Sequence, residues 1–143
     1  MGKQILLVDD YPDALEIWGL YLRLLGYDVV TAENGLDAVD LAHREHPDAI
    51  VLDLELPGIT GFEAAVRLRE SADTHSIPLI AATGYSHARQ LDHARDCGFD
   101  AIIVKPCDPA TLAAEIERVI EAAELRIYRS RVEVPVERLS QNR

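Results

Sequence analysis

The chain has 143 residues, 48% of them hydrophobic, which suits one domain able to bury a core without disulfide or metal staples. Its formal charge of -11 argues against sequence-independent binding to nucleic acid or to an anionic membrane, both of which want a basic face. Cys97 and Cys107 form no CxxC pair, no stretch approaches a membrane span, and the apolar run from Ile5 to Val8 is too short for a secretory signal, so a reduced, cytoplasmic setting is expected.

In chain order the elements alternate. Gln4–Val8 reads as a buried strand that ends at Asp9 and Asp10, and residues 12–25 read as a helix closed by Gly26. On that helix Ala14, Ile17, Trp18, Tyr21, Leu22 and Leu25 are expected to face a sheet, leaving Leu20 and Leu24 on its flank as a candidate docking pair for a partner. A strand over Asp28–Ala32 is followed by a helix over Gly35–Glu45, with Leu36, Val39, Leu41 and Ala42 at its apolar positions. The short run Ala49 to Leu52 is apolar and β-rich, as a fully buried strand requires, and it stops at Asp53 before a loop holding Pro57, Gly58 and Gly61. Helix is expected over 62–70, strand over 77–83, helix over 87–97 and strand over Ala101–Val104. Asp108 followed by Pro109 is a strong helix start, and Leu112, Ile116, Val119, Ile120 and Ala123 form the stripe of the last helix.

Five βα units with short, right-handed connections predict an α/β fold: a doubly wound, five-stranded parallel sheet in the flavodoxin-like order 2-1-3-4-5, with helices on both faces. Asp53 taken alone reads equally as a site acid or as a turn and cap residue. The topology adds weight, because Asp9, Asp10, Asp53, Thr83 and Lys105 all fall at the carboxyl ends of predicted strands, the edge where such sheets bind ligands. Carboxylates held close repel by about 1 to 4 kcal/mol per pair at ~4 Å. A hard divalent cation, Mg²⁺ with its taste for few carboxylates and several waters, relieves this. With Lys105 as a compact positive charge and Thr83 as a hydroxyl, such a site could bind a phosphoryl group that Asp53 accepts as nucleophile.

At these residues the chain resembles the receiver domains of two-component response regulators. The acid pair Asp9-Asp10, the Asp53-x-x-x-Pro57-x-x-x-Gly61 loop, Thr83-Gly84 and Lys105-Pro106 match the family pattern in order and spacing, over about residues 4 to 123. The resemblance implies that Asp53 takes phosphate from a phosphohistidine of a sensor histidine kinase or a histidine phosphotransfer protein. It further implies that Asp10, Asp53 and the backbone carbonyl of Glu55 hold Mg²⁺, that Asp9 acts mostly through a water, and that Thr83 and Lys105 contact the phosphoryl oxygens. The chain departs from the family three residues before the lysine, where Ile102 replaces the usual switch aromatic, and two residues after it, where Cys107 replaces Phe. Glu55 and Tyr85 occupy two positions that often tune phosphoryl lifetime.

Three rival readings remain. A phosphatase of the haloacid dehalogenase type also joins an acidic loop to Mg²⁺, Thr and Lys, but it places its nucleophile in an early strand and its metal acids late. A receiver-fold binding module that signals without phosphate would be expected to lack Asp53, Thr83 or Lys105. Zinc on His43, His46, His75, His87, His93 or Cys97 lacks a ligand set, and helix faces explain these residues more simply. After Leu125 the character changes: five arginines against two glutamates give residues 126–143 a charge of +3, leaving -14 for the first 125. We expect a stand-alone receiver over 1–125 and a basic tail over 126–143 with no output domain. Its helix would run to about Ser130, and Val132 to Val136 could then serve as an edge strand or, by default, be disordered. A homodimer is left open; direct DNA binding is not expected.

Overall fold

In a computed structural model, residues 2–84 and 88–141 are described, the last nine of these by their backbone alone. Ten elements alternate: β1 (Gln4–Val8), α1 (Pro12–Leu24), β2 (Asp28–Ala32), α2 (Gly35–Glu45), β3 (Ala49–Asp53), α3 (Gly61–Glu70), β4 (Leu79–Thr83), α4 (Ala88–Asp96), β5 (Ala101–Val104) and α5 (Pro109–Gln141). The five strands are parallel in the order β2-β1-β3-β4-β5, as expected.

The period-2 alternation of the strands separates two cores. Leu6, Val8, Ile50, Leu52 and Ala81 point to the face covered by α2, α3 and α4, while Ile5, Leu7, Val51, Ile80 and Ile103 point to the face covered by α1 and α5. Each fully buried Leu or Ile contributes roughly 1.5–3 kcal/mol of transfer free energy, so the central strands, buried on both faces, dominate the fold. The helices start where the sequence provides acceptors. Asn34 accepts the Asp37 N–H at 2.8 Å, Thr60 that of Glu63 at 3.2 Å and Asp108 that of Thr111 at 2.8 Å.

Several expectations are corrected. On α1 the buried residues are Leu15, Trp18, Gly19 and Leu22, so Ile17 and Leu25 join Leu20 and Leu24 in solvent. The buried face is set by Leu15 and Gly19 beside Trp18 and Leu22, and a stripe drawn through the large apolar residues alone leaves Gly19 out. Leu36 is also exposed, because Ala38 and Ala42 take the core positions of α2. β4 begins at Leu79, since residues 71–77 are occupied by turns closed by the Ser71 and Thr74 carbonyls. α5 passes Ser130 and stays helical to Gln141, so Val132 to Val136 is helix and not an edge strand. Tyr85 and His87 lie outside the described residues.

At the amino-terminal edge of the sheet, Arg69 of α3 forms a clamp that the sequence did not reveal. Its guanidinium donates to the carbonyls of Gly98, His75 and Ile77 at 2.7–3.0 Å and to Asp100 Oδ2 at 3.0 Å, and that same oxygen accepts the Leu79 N–H. A fork of fixed donors suits this convergence of carbonyls, which an ammonium could not match.

Candidate functional site

The parallel register brings the strand ends together. Val8 pairs with Leu52 and Ala32, Asp53 with Ala82, and Thr83 with Val104, so Asp9, Asp53, Thr83 and Lys105 reach the same edge of adjacent strands. Two backbone bonds fix the ends: the Asp9 N–H donates to Ala32 at 3.2 Å and the Lys105 N–H to Thr83 at 2.7 Å. The loop after β3 folds back so that the Gly61 N–H reaches the Leu54 carbonyl at 3.0 Å. A Cβ at Gly61 would collide with the Asp53 carbonyl, which is why the Pro57-x-x-x-Gly61 loop ends on glycine.

Lys105 is the centre of the charge arrangement. Its Nζ donates to Asp9 Oδ2 at 2.6 Å and to Asp53 Oδ2 at 3.2 Å, and it lies 5.8 Å from the ring centroid of Trp18 on α1. Each acid spends its second oxygen on a local amide: Asp9 Oδ1 accepts the Tyr11 N–H at 2.9 Å, and Asp53 Oδ1 accepts the Glu55 N–H at 3.0 Å. Asp9 and Asp53 are buried, Thr83 is fully buried, and Asp10 is open to solvent. Burial pushes the Asp53 carboxyl above its ordinary range. The Glu55 amide and the Lys105 charge oppose that rise, and Asp9 adds to it. For Lys105, burial works against the charged form, but the bond to Asp9 and the charges of Asp53 and Asp9 prevail and raise it.

Asp9, Asp10 and Asp53 can each offer one carboxylate oxygen with all three oxygens within 4.8 Å of one another, the one such group among the described residues. An all-oxygen set with an exposed member fits a hard cation that keeps water, and Mg²⁺ meets that description. Asp9 and Asp53 both spend their oxygens on Lys105 and a local amide, Asp9 with the shorter bond to the lysine and the deeper burial, whereas Asp10 is the most accessible. No His or Cys cluster of metal-binding size occurs among the described residues. His93 instead stacks on Phe62 at 4.4 Å, and burial raises the thiols of Cys97 and Cys107, both half-buried, as small apolar residues would be. Ile102 is half-buried against the α2/α3/α4 core. The spacing of Trp18 places it in the core, but its approach to Lys105 depends on how α1 packs beside α5 and is not legible in the sequence.

The chain matches the model of the response regulator receiver domain over residues 5–117. It is 35% identical to the protein PilH of Pseudomonas aeruginosa over 82% of this chain and 97% of that protein. It is also 35% identical to ycf27 of Porphyridium aerugineum over 82% of this chain, but it spans about half of that relative, 48%. Among solved structures, the receiver domain of a Pseudomonas aeruginosa sensor histidine kinase, which has a magnesium ion coordinated in its active-site cleft, superposes with a TM-score of 0.79 at 31% identity, covering 85% of this chain and 99% of that one. Both the phosphatase and the phosphate-independent readings give way to this match, and the chain belongs to the response regulator receiver domain family of two-component signalling.

Proposed function

We propose that Asp53 is the phosphoacceptor, taking a phosphoryl group from a phosphohistidine on a sensor histidine kinase or a histidine phosphotransfer protein. The observation that carries this is the ammonium of Lys105 held between Asp9 and Asp53, beside a third carboxylate, at the carboxyl edge of the sheet. A carboxylate oxygen of Asp53 attacks phosphorus, the P–N bond breaks, and the imidazole leaves with its electron pair to be protonated. Asp9 positions Lys105, whose charge neutralises one phosphoryl oxygen, and Thr83 at the end of β4 offers its hydroxyl to another. Asp10, Asp53 and the Glu55 carbonyl would hold Mg²⁺, which when bound screens the carboxylates from the incoming phosphate.

The receiver body corresponds to residues 1–125, and residues 126–141 extend its last helix. No helix of the described residues is long and apolar enough to cross a membrane. Intact mass after incubation with a small phosphodonor tests the chemistry. The chain should gain one phosphoryl group in Mg²⁺ and little in chelator, Asp53→Asn should gain none, and Asp10→Asn should need far more Mg²⁺. An undiminished gain in Asp53→Asn would remove Asp53 from this role.

A further inference from the structure

We propose that the outer face of α5 is an antiparallel self-association seam whose occupant is a second copy of this chain, centred on Leu125. The helix outlasts its fold: Leu112, Ile116, Val119 and Ile120 are buried against the sheet, Ala123 is half-buried, and every residue from Glu124 to Val132 is exposed. The apolar side chains of this stretch stay in water unless a face is covered. Leu125, Tyr128 and Val132 stand at i, i+3 and i+7, one stripe that continues back through Glu121 and Arg118, on the side away from the body. They are 48%, 64% and 42% exposed.

Charge selects the occupant and its direction. Residues 109–124 of the helix carry four glutamates and one arginine, a net charge of -3, and the shorter stretch 125–132 carries three arginines and no acid, a net charge of +3. Parallel copies would set arginine against arginine. An antiparallel pair about a two-fold axis at Leu125 lays each basic stretch on the acidic stretch before Leu125 of the other copy, as an isologous interface demands. Glu121 and Arg129 lie four residues either side of that axis, both exposed, so each Glu121 meets Arg129 of the second copy, twice over. Tyr128 then covers Ala122 of the second copy, and Val132 lies along the stem of Arg118 there. The stripe lies opposite the buried residues Leu112, Ile116, Val119 and Ile120, so each body would sit on the far side of its own helix. The seam stands independently of the chemistry at Asp53.

Sedimentation equilibrium of the full chain tests it. The mass should rise with concentration from 15.9 kDa towards twice that value, and added salt should weaken the rise. Glu121→Arg alone and Arg129→Glu alone should each weaken association by at least about tenfold, since like charges then face each other twice. The two reversals combined in one chain should restore it, because each new arginine again meets a glutamate. Circular dichroism and phosphorylation of every variant should match the parent chain, since neither residue touches the core or the site. Four outcomes would overturn the proposal: a parent chain that is monomeric at every concentration, single reversals that leave association unchanged, a combined variant that fails to recover, or a monomer whose tail binds anionic vesicles instead.

Discussion

Asp53 is held against its own charge. Its carboxyl lies above the ordinary range because burial outweighs the Glu55 amide and Lys105, so the folded chain binds the Asp53 proton more tightly than the unfolded chain does. For an acid with a raised folded value, the sign is fixed. Stability falls as pH rises from the unfolded value near 3.8 through the higher folded one, and the penalty is fully present above it. Asp53→Asn should therefore melt above the parent chain at pH 7–8 in chelator, and the gap should close as pH drops through that window. Saturating Mg²⁺ should narrow the gap by stabilising only the parent. Thermal melts of both proteins across pH check this; a variant that melts below the parent at pH 8 in chelator would mean that the Lys105 bonds outweigh desolvation. The acids themselves were legible in the sequence, because each sits at the end of a β-rich run. The bond from Lys105 to Asp9 was not, since it spans 96 positions and depends on the order of the sheet.

Helix α1 shows what spacing gives and what it hides. Leu20 and Leu24 are 58% and 77% exposed, as expected of a flank pair, but Ile17 at 59% extends them into a stripe at i, i+3 and i+7. The direction of the core-facing side is hidden because Gly19, one of its four buried residues, carries no hydrophobic signal. Arg69 was missed for the opposite reason: an arginine on an amphipathic helix reads as solvated until its distant carbonyl partners come together. α1 starts beside the Asp9-Asp10 corner and its apolar stripe runs from Ile17 to Leu24 at the far end of the helix, so a protein donor that engages Asp53 and lies along α1 would cover it. Leu20→Ser with Leu24→Ser should slow transfer from a phosphohistidine protein while leaving transfer from a small phosphodonor unchanged. Stability should fall by no more than ~1 kcal/mol, roughly 0.5 per surface site. Parallel rate measurements with the two donors decide it, and equal rates from the protein donor would assign the stripe to another partner.

Across the whole molecule, charge is the dominant long-range feature. The first 125 residues carry -14, and their self-repulsion destabilises the compact state. The attractive pairs that salt would also screen are mostly exposed ones, Arg44 with Asp40, Arg95 with Asp92 and Lys3 with Glu124, and such pairs contribute about 0 to 1 kcal/mol each. The better-buried pairs, Lys105 with Asp9 and Arg69 with Asp100, are screened far less. Repulsion therefore has more to lose than attraction, and the melting temperature should rise as NaCl increases from about 10 mM to about 200 mM, where the screening length shrinks from ~30 Å to below 10 Å. The α5 seam depends on attraction between unlike stretches, so its association should weaken over the same range. Opposite responses of stability and self-association to one variable separate the two effects within a single titration. A melting temperature that falls with salt would show that the surface pairs, and not the net charge, govern this fold.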